Sequence, residues 1–218
     1  MLNLLKPYVV KSRIWFGLIF LGLSTYITTS AFAASNTAER AKIVRAVNHY
    51  FKNLGSLKGT FVQTNPDKKW INGKFYIQRP GKMRFDYKRP SRYRIVADGT
   101  WLSIEDPDTN TFNRFQLKST PFRMLLRQDV NLFRDAKILG HTKRKNVVTL
   151  TLADRNPMTS GKIKLLFTTA PRFQLREWTV TDAQGLNTRV RVAHLRSGTK
   201  ISLSLFKVAP IKFPGTDN

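Results

Sequence analysis

Gly73-Lys74-Phe75-Tyr76-Ile77-Gln78-Arg79-Pro80-Gly81-Lys82-Met83-Arg84-Phe85-Asp86-Tyr87 reads as two runs of alternating apolar and polar side chains with Pro80-Gly81 between them. Alternation is the pattern of a strand with one buried face, and a Pro-Gly pair between two such runs marks a turn. The stretch therefore predicts an antiparallel hairpin. Phe75 and Ile77 share one face of its first strand and Met83, Phe85 and Tyr87 one face of its second, while Arg84, Asp86 and Lys88 point the other way. Period two also puts Arg79 on the side of Phe75 and Ile77. As an ordinary strand cation it would turn its head to water. Turned inward it needs acceptors, because an unpaired guanidinium in an apolar site costs roughly several kcal/mol, and backbone carbonyls qualify.

The alternation continues outward from this hairpin. Segments near 57–64, 70–79, 82–87, 92–97 and 101–105, a candidate at 111–117, and then 137–141, 146–153, 162–168, 173–181, 187–195 and 200–206 predict about a dozen antiparallel strands. Turns at Pro90, Asp98-Gly99, 143–145, 157–161, Gln184-Gly185 and Ser197-Gly198 divide them. Ahead of the strands, Ile43, Val47, Tyr50, Phe51 and Leu54 recur at spacings of three and four, which predicts a helix over 36–54. Asn36 is its candidate cap, with Glu39 three residues on, and Gly55 its stop. One interruption breaks the strand run, at Thr120-Pro121-Phe122-Arg123-Met124-Leu125-Leu126-Arg127. Thr120 suits a cap and Pro121 a first helical position, and Phe122, Leu125 and Leu126 share a face. A large twisted sheet with an apolar inner face must cover that face or close on itself, and two helices are available to cover it. The architecture expected is mainly β, a single curved antiparallel sheet lidded by short helices. Patterning alone favours a filled core beneath that lid over a cavity, since most apolar faces simply pack.

Residues 1–33 have a different character. Lys6, Lys11 and Arg13 precede the apolar run from Ile14 to Leu23, and Ala31-Phe32-Ala33 offers small residues where a signal peptidase reads. The run is short against the ~20 residues of a spanning helix, so the expectation is a signal peptide cleaved near Ala33, followed by one domain over 34–218. No cysteine occurs in the chain, which leaves stability to packing and excludes a lipidated cysteine at the cleavage point. Those three cations belong to a formal charge of +25, so +22 remains beyond residue 33. Such a field favours acidic partners or anionic surfaces. A uniformly basic, well-solvated surface accounts for it equally well.

Catalytic patterns are missing. His49, His141 and His194 fall on separate predicted elements, with no spacing that suits a metal. No nucleophile elbow, phosphate loop or dinucleotide fingerprint is present. Glu105-Asp106-Asp108, in the company of Pro107 and Asn110, reads as an exposed turn. Tyr87-Lys88-Arg89 and Arg92-Tyr93-Arg94 mix cations with rings as a nucleic-acid surface does, but in strands the two kinds face opposite ways. Neither a cofactor nor a nucleic acid is expected, and the chain is not expected to be an enzyme.

The stretch from Gly73 to Phe85, followed by Pro90, by Val96-Ala97-Asp98-Gly99 and by Thr120-Pro121-Phe122, with Phe61 and Gln63 upstream, resembles the LolA lipoprotein carrier family in order and spacing. The similarity extends over about 37–210. It implies an unclosed β half-barrel with helices as a lid over a hydrophobic cavity, in place of the filled core. It also implies a monomeric periplasmic carrier of acylated lipoproteins. Such a carrier takes its cargo from an ATP-driven releasing complex at the inner membrane and passes it to an acceptor lipoprotein at the outer membrane. On this resemblance Arg79 is the arginine whose contacts to the lid hold the empty cavity closed. Phe75, Ile77, Met83, Phe85 and Tyr87 would line the cavity. Val47, Phe51 and Leu54 of the first helix and Phe122, Leu125 and Leu126 of the second would cover it. There are three departures: Phe85 stands where the family more often has tryptophan, a swap of one aromatic for another, while the short tail after Pro210 and the unusually basic charge leave partner choice open. The alternatives are a carrier of another lipid or amphiphile, and a basic module that binds anionic lipid or polysaccharide through its surface.

Overall fold

The computed structural model describes residues 28–208 apart from Ser91 and Asn110, and side chains from Ala34 onward. The chain divides into two compact units, Met1–Ala38 and Glu39–Asn218. The described part of the first is the opening of helix α1, Thr28–Asn53, and the sheet belongs entirely to the second. Most of the expected signal peptide lies outside the described residues. Asn36 does not cap α1, which starts eight residues earlier. Ala31, Ala33 and Ala34 are among the best helix formers and carry the helix through the position where a cap would otherwise be needed.

Among the described residues eleven strands follow: β1 Ser56–Thr64, β2 Trp70–Gln78, β3 Lys82–Tyr87, β4 Arg94–Asp98, β5 Trp101–Asp106, β6 Thr111–Gln116, β7 Ala136–Arg144, β8 Val147–Asp154, β9 Lys162–Thr168, β10 Gln174–Thr181 and β11 Asn187–Ser197. They form one unclosed antiparallel sheet in the order β6-β5-β4-β3-β2-β1-β11-β10-β9-β8-β7. Two meanders are thus joined at the centre by β1 against β11, with Phe61 opposite Val192 and Thr64 opposite Arg189. Bulges between Lys58 and Thr60, Leu175 and Glu177, and Ile138 and Gly140 increase the local twist and bend the sheet. The long connection from edge strand β6 to the opposite edge strand β7 carries a 3-10 turn at Leu117–Ser119, helix α2, Phe122–Leu126, and helix α3, Leu132–Asp135. Helix α3 had no counterpart in the sequence pattern, because a single turn offers too few positions for a period of 3.6.

The expected twelfth strand over 200–206 is instead an irregular segment with a 3-10 turn at Leu203–Phe206. Both sides of β11 are already paired, by β1 and β10, so no edge is free for it. The segment lies against the outer face at β3, where Arg84 donates to the carbonyl of Leu205 at 2.9 Å and Ile201 and Phe206 are buried. At the α2 start, Thr120 turns its hydroxyl back to the carbonyl of Leu117, 2.9 Å away, and Pro121 is the capping residue.

The inner face of β1 to β3 carries a ring stack in which Phe61 meets Phe85 edge-on at 5.0 Å and Phe75 lies parallel to Phe85 at 5.7 Å. Trp178 of β10 reaches Phe85 at 6.0 Å from the other meander. Gly73 makes room for this stack. A Cβ there would sit 2.0 Å from the Asp86 carbonyl oxygen and 2.8 Å from the Phe61 ring. Gly73→Ala is expected to lower stability by about 1–3 kcal/mol through overpacking against backbone, measured by urea denaturation. A loss below a few tenths would mean that β3 yields freely.

Candidate functional site

The C-terminal ends of α1 and α2 meet over the inner face at the β2–β3 turn, and Arg79 opens that turn. Its Nη1 donates to the carbonyl of Leu54, 3.3 Å away, just past the end of α1. Its Nη2 donates to the carbonyl of Arg127, the residue that caps α2, and to that of Gln128 at 3.3 Å. Two backbone bonds reinforce these, from the Arg79 N–H to the Gly55 carbonyl (2.9 Å) and from the Gly81 N–H to the Leu126 carbonyl (2.8 Å). The last carbonyls of a helix have no partner within it, and a cation is favoured at that end. Gly81 reaches Leu126 by adopting a positive φ of 74°, which a side chain would resist. Partial burial lowers the pKa of Arg79, and its Nε is buried without a partner.

Below this junction lies a small apolar cavity of about 40 Å³. Phe51 and Leu54 of the α1 end and Phe122, Leu125 and Leu126 of the α2 region roof it, with Ile77, Arg79, Met83 and Phe85 beneath. Leu57, Ile163, Leu165, Leu175 and Trp178 complete the lining and were missed by sequence reasoning. Their strands show the same alternation, but only the pairing of β1 with β11 folds the second meander over the first. Phe75, Tyr87 and Val47 are buried yet do not reach the cavity. Phe75 lies behind Phe85. Tyr87 donates its hydroxyl to Gln63 Oε1 at 2.6 Å, and burial raises its pKa. Val47 lies about two turns up α1 from Leu54.

The far side of α2 is open. Arg123, Leu126 and Arg127 border a cleft of about 410 Å³ that extends to Pro80, Gly99 and Trp101. An ion pair anchors this region to the second meander. Arg123 grips Asp154 with Nε and Nη2, each at 3.0 Å, and the Asp154 side chain is 0% exposed. Asp154 continues the inward row Val148, Leu150, Leu152 of β8, so a carboxylate in an apolar register was the signal available in the sequence. Asp135 receives Arg134 at 2.8 Å and Arg127 at 3.3 Å. The side chain of Asn48 on α1 accepts the Leu132 N–H at 3.0 Å. The Arg134 guanidinium, followed by the charge of Arg127, holds the Asp135 carboxyl below its ordinary value.

The acidic group is less exposed than expected. Glu105 and Asp106 are buried at the end of β5. Asp106 accepts from the Thr109 hydroxyl at 2.8 Å and the Asp108 N–H at 2.9 Å, so it builds the turn, and the Thr109 bond in the first place lowers its pKa. Glu105 pairs with Arg94 at 3.0 Å. Among the described residues no three His, Asp or Glu side chains gather as metal ligands, and no helix is long and apolar enough to cross a membrane.

The family model of the outer membrane lipoprotein carrier protein LolA matches residues 52–209. The chain belongs to the LolA family. It is 29% identical over 200 residues to an outer-membrane lipoprotein carrier protein of Leptothrix cholodnii, covering 87% of this chain and 92% of that one. A second such protein, of Methylococcus capsulatus, is 27% identical over 170 residues, with 74% and 80% covered. Among solved structures, a LolA superfamily protein of Nitrosomonas europaea is similar at a TM-score of 0.44 and 11% identity, covering 76% of this chain and 97% of that one. MucB is similar at 0.43 and 13%, covering 79% of this chain and 63% of MucB.

Asp154→Ala strands Arg123 and is expected to cost about 2–3 kcal/mol, below the usual range for breaking a buried pair because Arg123 keeps some water contact. Thermal unfolding measures this, and an unchanged midpoint would show the anchor to be idle. A carboxyl with a lowered folded pKa contributes stability above its unfolded value, and that contribution is lost as pH falls through the folded value. The stability gap between the natural chain and Asp135→Asn should therefore be full near neutrality and shrink below about pH 4. Urea melts at both ends of that range test it, and a pH-independent gap would contradict the pairing.

Proposed function

We propose that the chain is a periplasmic, non-covalent carrier of acylated lipoproteins. It would accept them from an ATP-driven complex at the inner membrane and deliver them to an acceptor lipoprotein at the outer membrane. The observation that carries this reading is the lid junction: an apolar cavity over which one cation, its guanidinium bonded only to main-chain carbonyls, joins the ends of the two roofing helices. Membership of the LolA family and the names of its relatives support the same cargo.

The cavity of about 40 Å³ is far below the ~300–1,000 Å³ of a small-molecule site. Acyl chains therefore enter only when the roof lifts, and the open cleft beyond α2 leaves that helix room to move. Each methylene taken from water contributes about 0.8 kcal/mol, so an unopposed cavity would retain long chains too tightly for a carrier. Breaking the Arg79 bonds offsets part of this and keeps release reversible. Arg79→Leu removes the donors, and a loaded carrier should pass a triacylated lipoprotein to its acceptor about tenfold more slowly, from roughly 1.5 kcal/mol of lost closing energy. Transfer at the natural rate would refute the latch. Cargo class is checked by mass spectrometry of what co-purifies from the periplasm in high salt: triacylated proteins support the proposal, and free phospholipid alone overturns it.

A further inference from the structure

The other face of the same sheet carries a second pattern. Following the pairing across β8, β9, β10, β11, β1 and β2, a single row reads Thr151, Lys164, Thr179, Arg189, Thr64 and Trp70. Successive members are register partners, so all six stand on one face. The row crosses a shallow depression of about 680 Å³ that Lys162, Lys68 and Leu186 also border. Lys164 and Arg189 are two strands apart, about 10 Å, and a threonine between them separates like charges that would repel if directly opposite.

Among the described residues, no carboxylate borders the depression and none of Lys68, Lys162, Lys164 and Arg189 has an ion-pair partner. The nearest acids are occupied. Asp67 pairs with Lys69 at 3.6 Å, Glu177 pairs with Arg191 at 3.0 Å, and Asp182 accepts the N–H groups of Gln184 and Leu186 within its own turn. Four unneutralised cations on one patch oppose folding electrostatically, so their placement asks for an anionic partner. Two large apolar side chains flank them at neighbouring turns, Trp70 at 66% exposure and Leu186 at 51%.

We infer that this outer face docks on the surface of an anionic phospholipid bilayer. Evenly spread cations match a diffuse negative surface, and tryptophan and leucine beside them match the apolar layer just beneath the headgroups. An acidic protein would complement the cations but give Trp70 and Leu186 no comparable layer to enter. Docking leaves the cavity free: in β9, Lys162 and Lys164 face outward while Ile163 and Leu165 line the cavity from the other side. The inference does not depend on what the cavity holds.

The test is flotation of the protein purified from the periplasm with vesicles of one-third phosphatidylglycerol in phosphatidylcholine, and with phosphatidylcholine alone. Binding is expected only to the anionic vesicles and should fall steeply with salt. The double variant Lys164→Gln, Arg189→Gln should bind about thirtyfold more weakly, two cations' worth of surface attraction, with a melting temperature no lower than that of the natural protein. The charge-matched control Lys42→Gln, Arg45→Gln, on the exposed side of α1, should bind nearly as the natural protein does. Equal losses in both variants would reduce the effect to net charge and overturn the inference. So would absence of binding to anionic vesicles, the result expected if the partner is an acidic protein. Uptake of a fluorescent fatty acid by the same variants reads the cavity separately.

Discussion

A guanidinium on the concave side of an apolar sheet has few ways to exist, and the lid follows from the one used here. Arg79 stands at the head of the β2–β3 turn with its guanidinium partly buried, and among the described residues it has no carboxylate partner. Its acceptors are the orphan carbonyls at the ends of α1 and α2. One side chain thus fixes where two helices stop and how closely they approach the β2–β3 turn. A buried carboxylate in the same place would have made a tighter closure with a larger desolvation cost. Carbonyls give a closure that several small interactions share, the kind that cargo can displace.

The roof is not held by Arg79 alone. Arg123 with Asp154 and Asn48 with Leu132 fasten the segment between β6 and β7 to the second meander and to α1, while Arg127 and Arg134 on Asp135 brace the segment internally. Arg123 ties α2 itself to β8 and Asn48 holds α3, so lifting the C-terminal end of α2 need not detach the whole connection. The division is physical: an ion pair ties α2 to β8, while main-chain bonds and apolar contact hold the end of α2 over the cavity.

Both faces of the sheet are used, and alternation makes this possible. Lys162-Ile163-Lys164-Leu165 in β9 supplies two cations to the outer depression and two aliphatic side chains to the cavity within four residues. Four of the chain's 38 lysines and arginines thereby share one patch. A basic row on the outer face is separated from the hydrocarbon interior by the thickness of one sheet.

The strands, the main turns, the helix stripe and the inward register of Arg79 were legible in the sequence, because each depends on periodicity within a few residues. Phe51, Leu54, Ile77, Met83, Phe85, Phe122, Leu125 and Leu126 were placed by the same local rule. Where that rule failed, the cause was distant in sequence. The segment over 200–206 has a strand's alternation but no free edge to pair with. Ile163, Leu165, Leu175 and Trp178 reach the cavity only because β1 pairs with β11. Phe75 and Tyr87 have the right face but the wrong neighbours. The nearly filled space under the lid is closer to the packed core that patterning favours than to an open container. The sequence by itself determined which side chains face in and which face out, since that is set by backbone geometry. Tertiary structure alone decided which inward residues meet, which carbonyls Arg79 finds and which cations lie together, because strand order brings together residues that the chain keeps far apart.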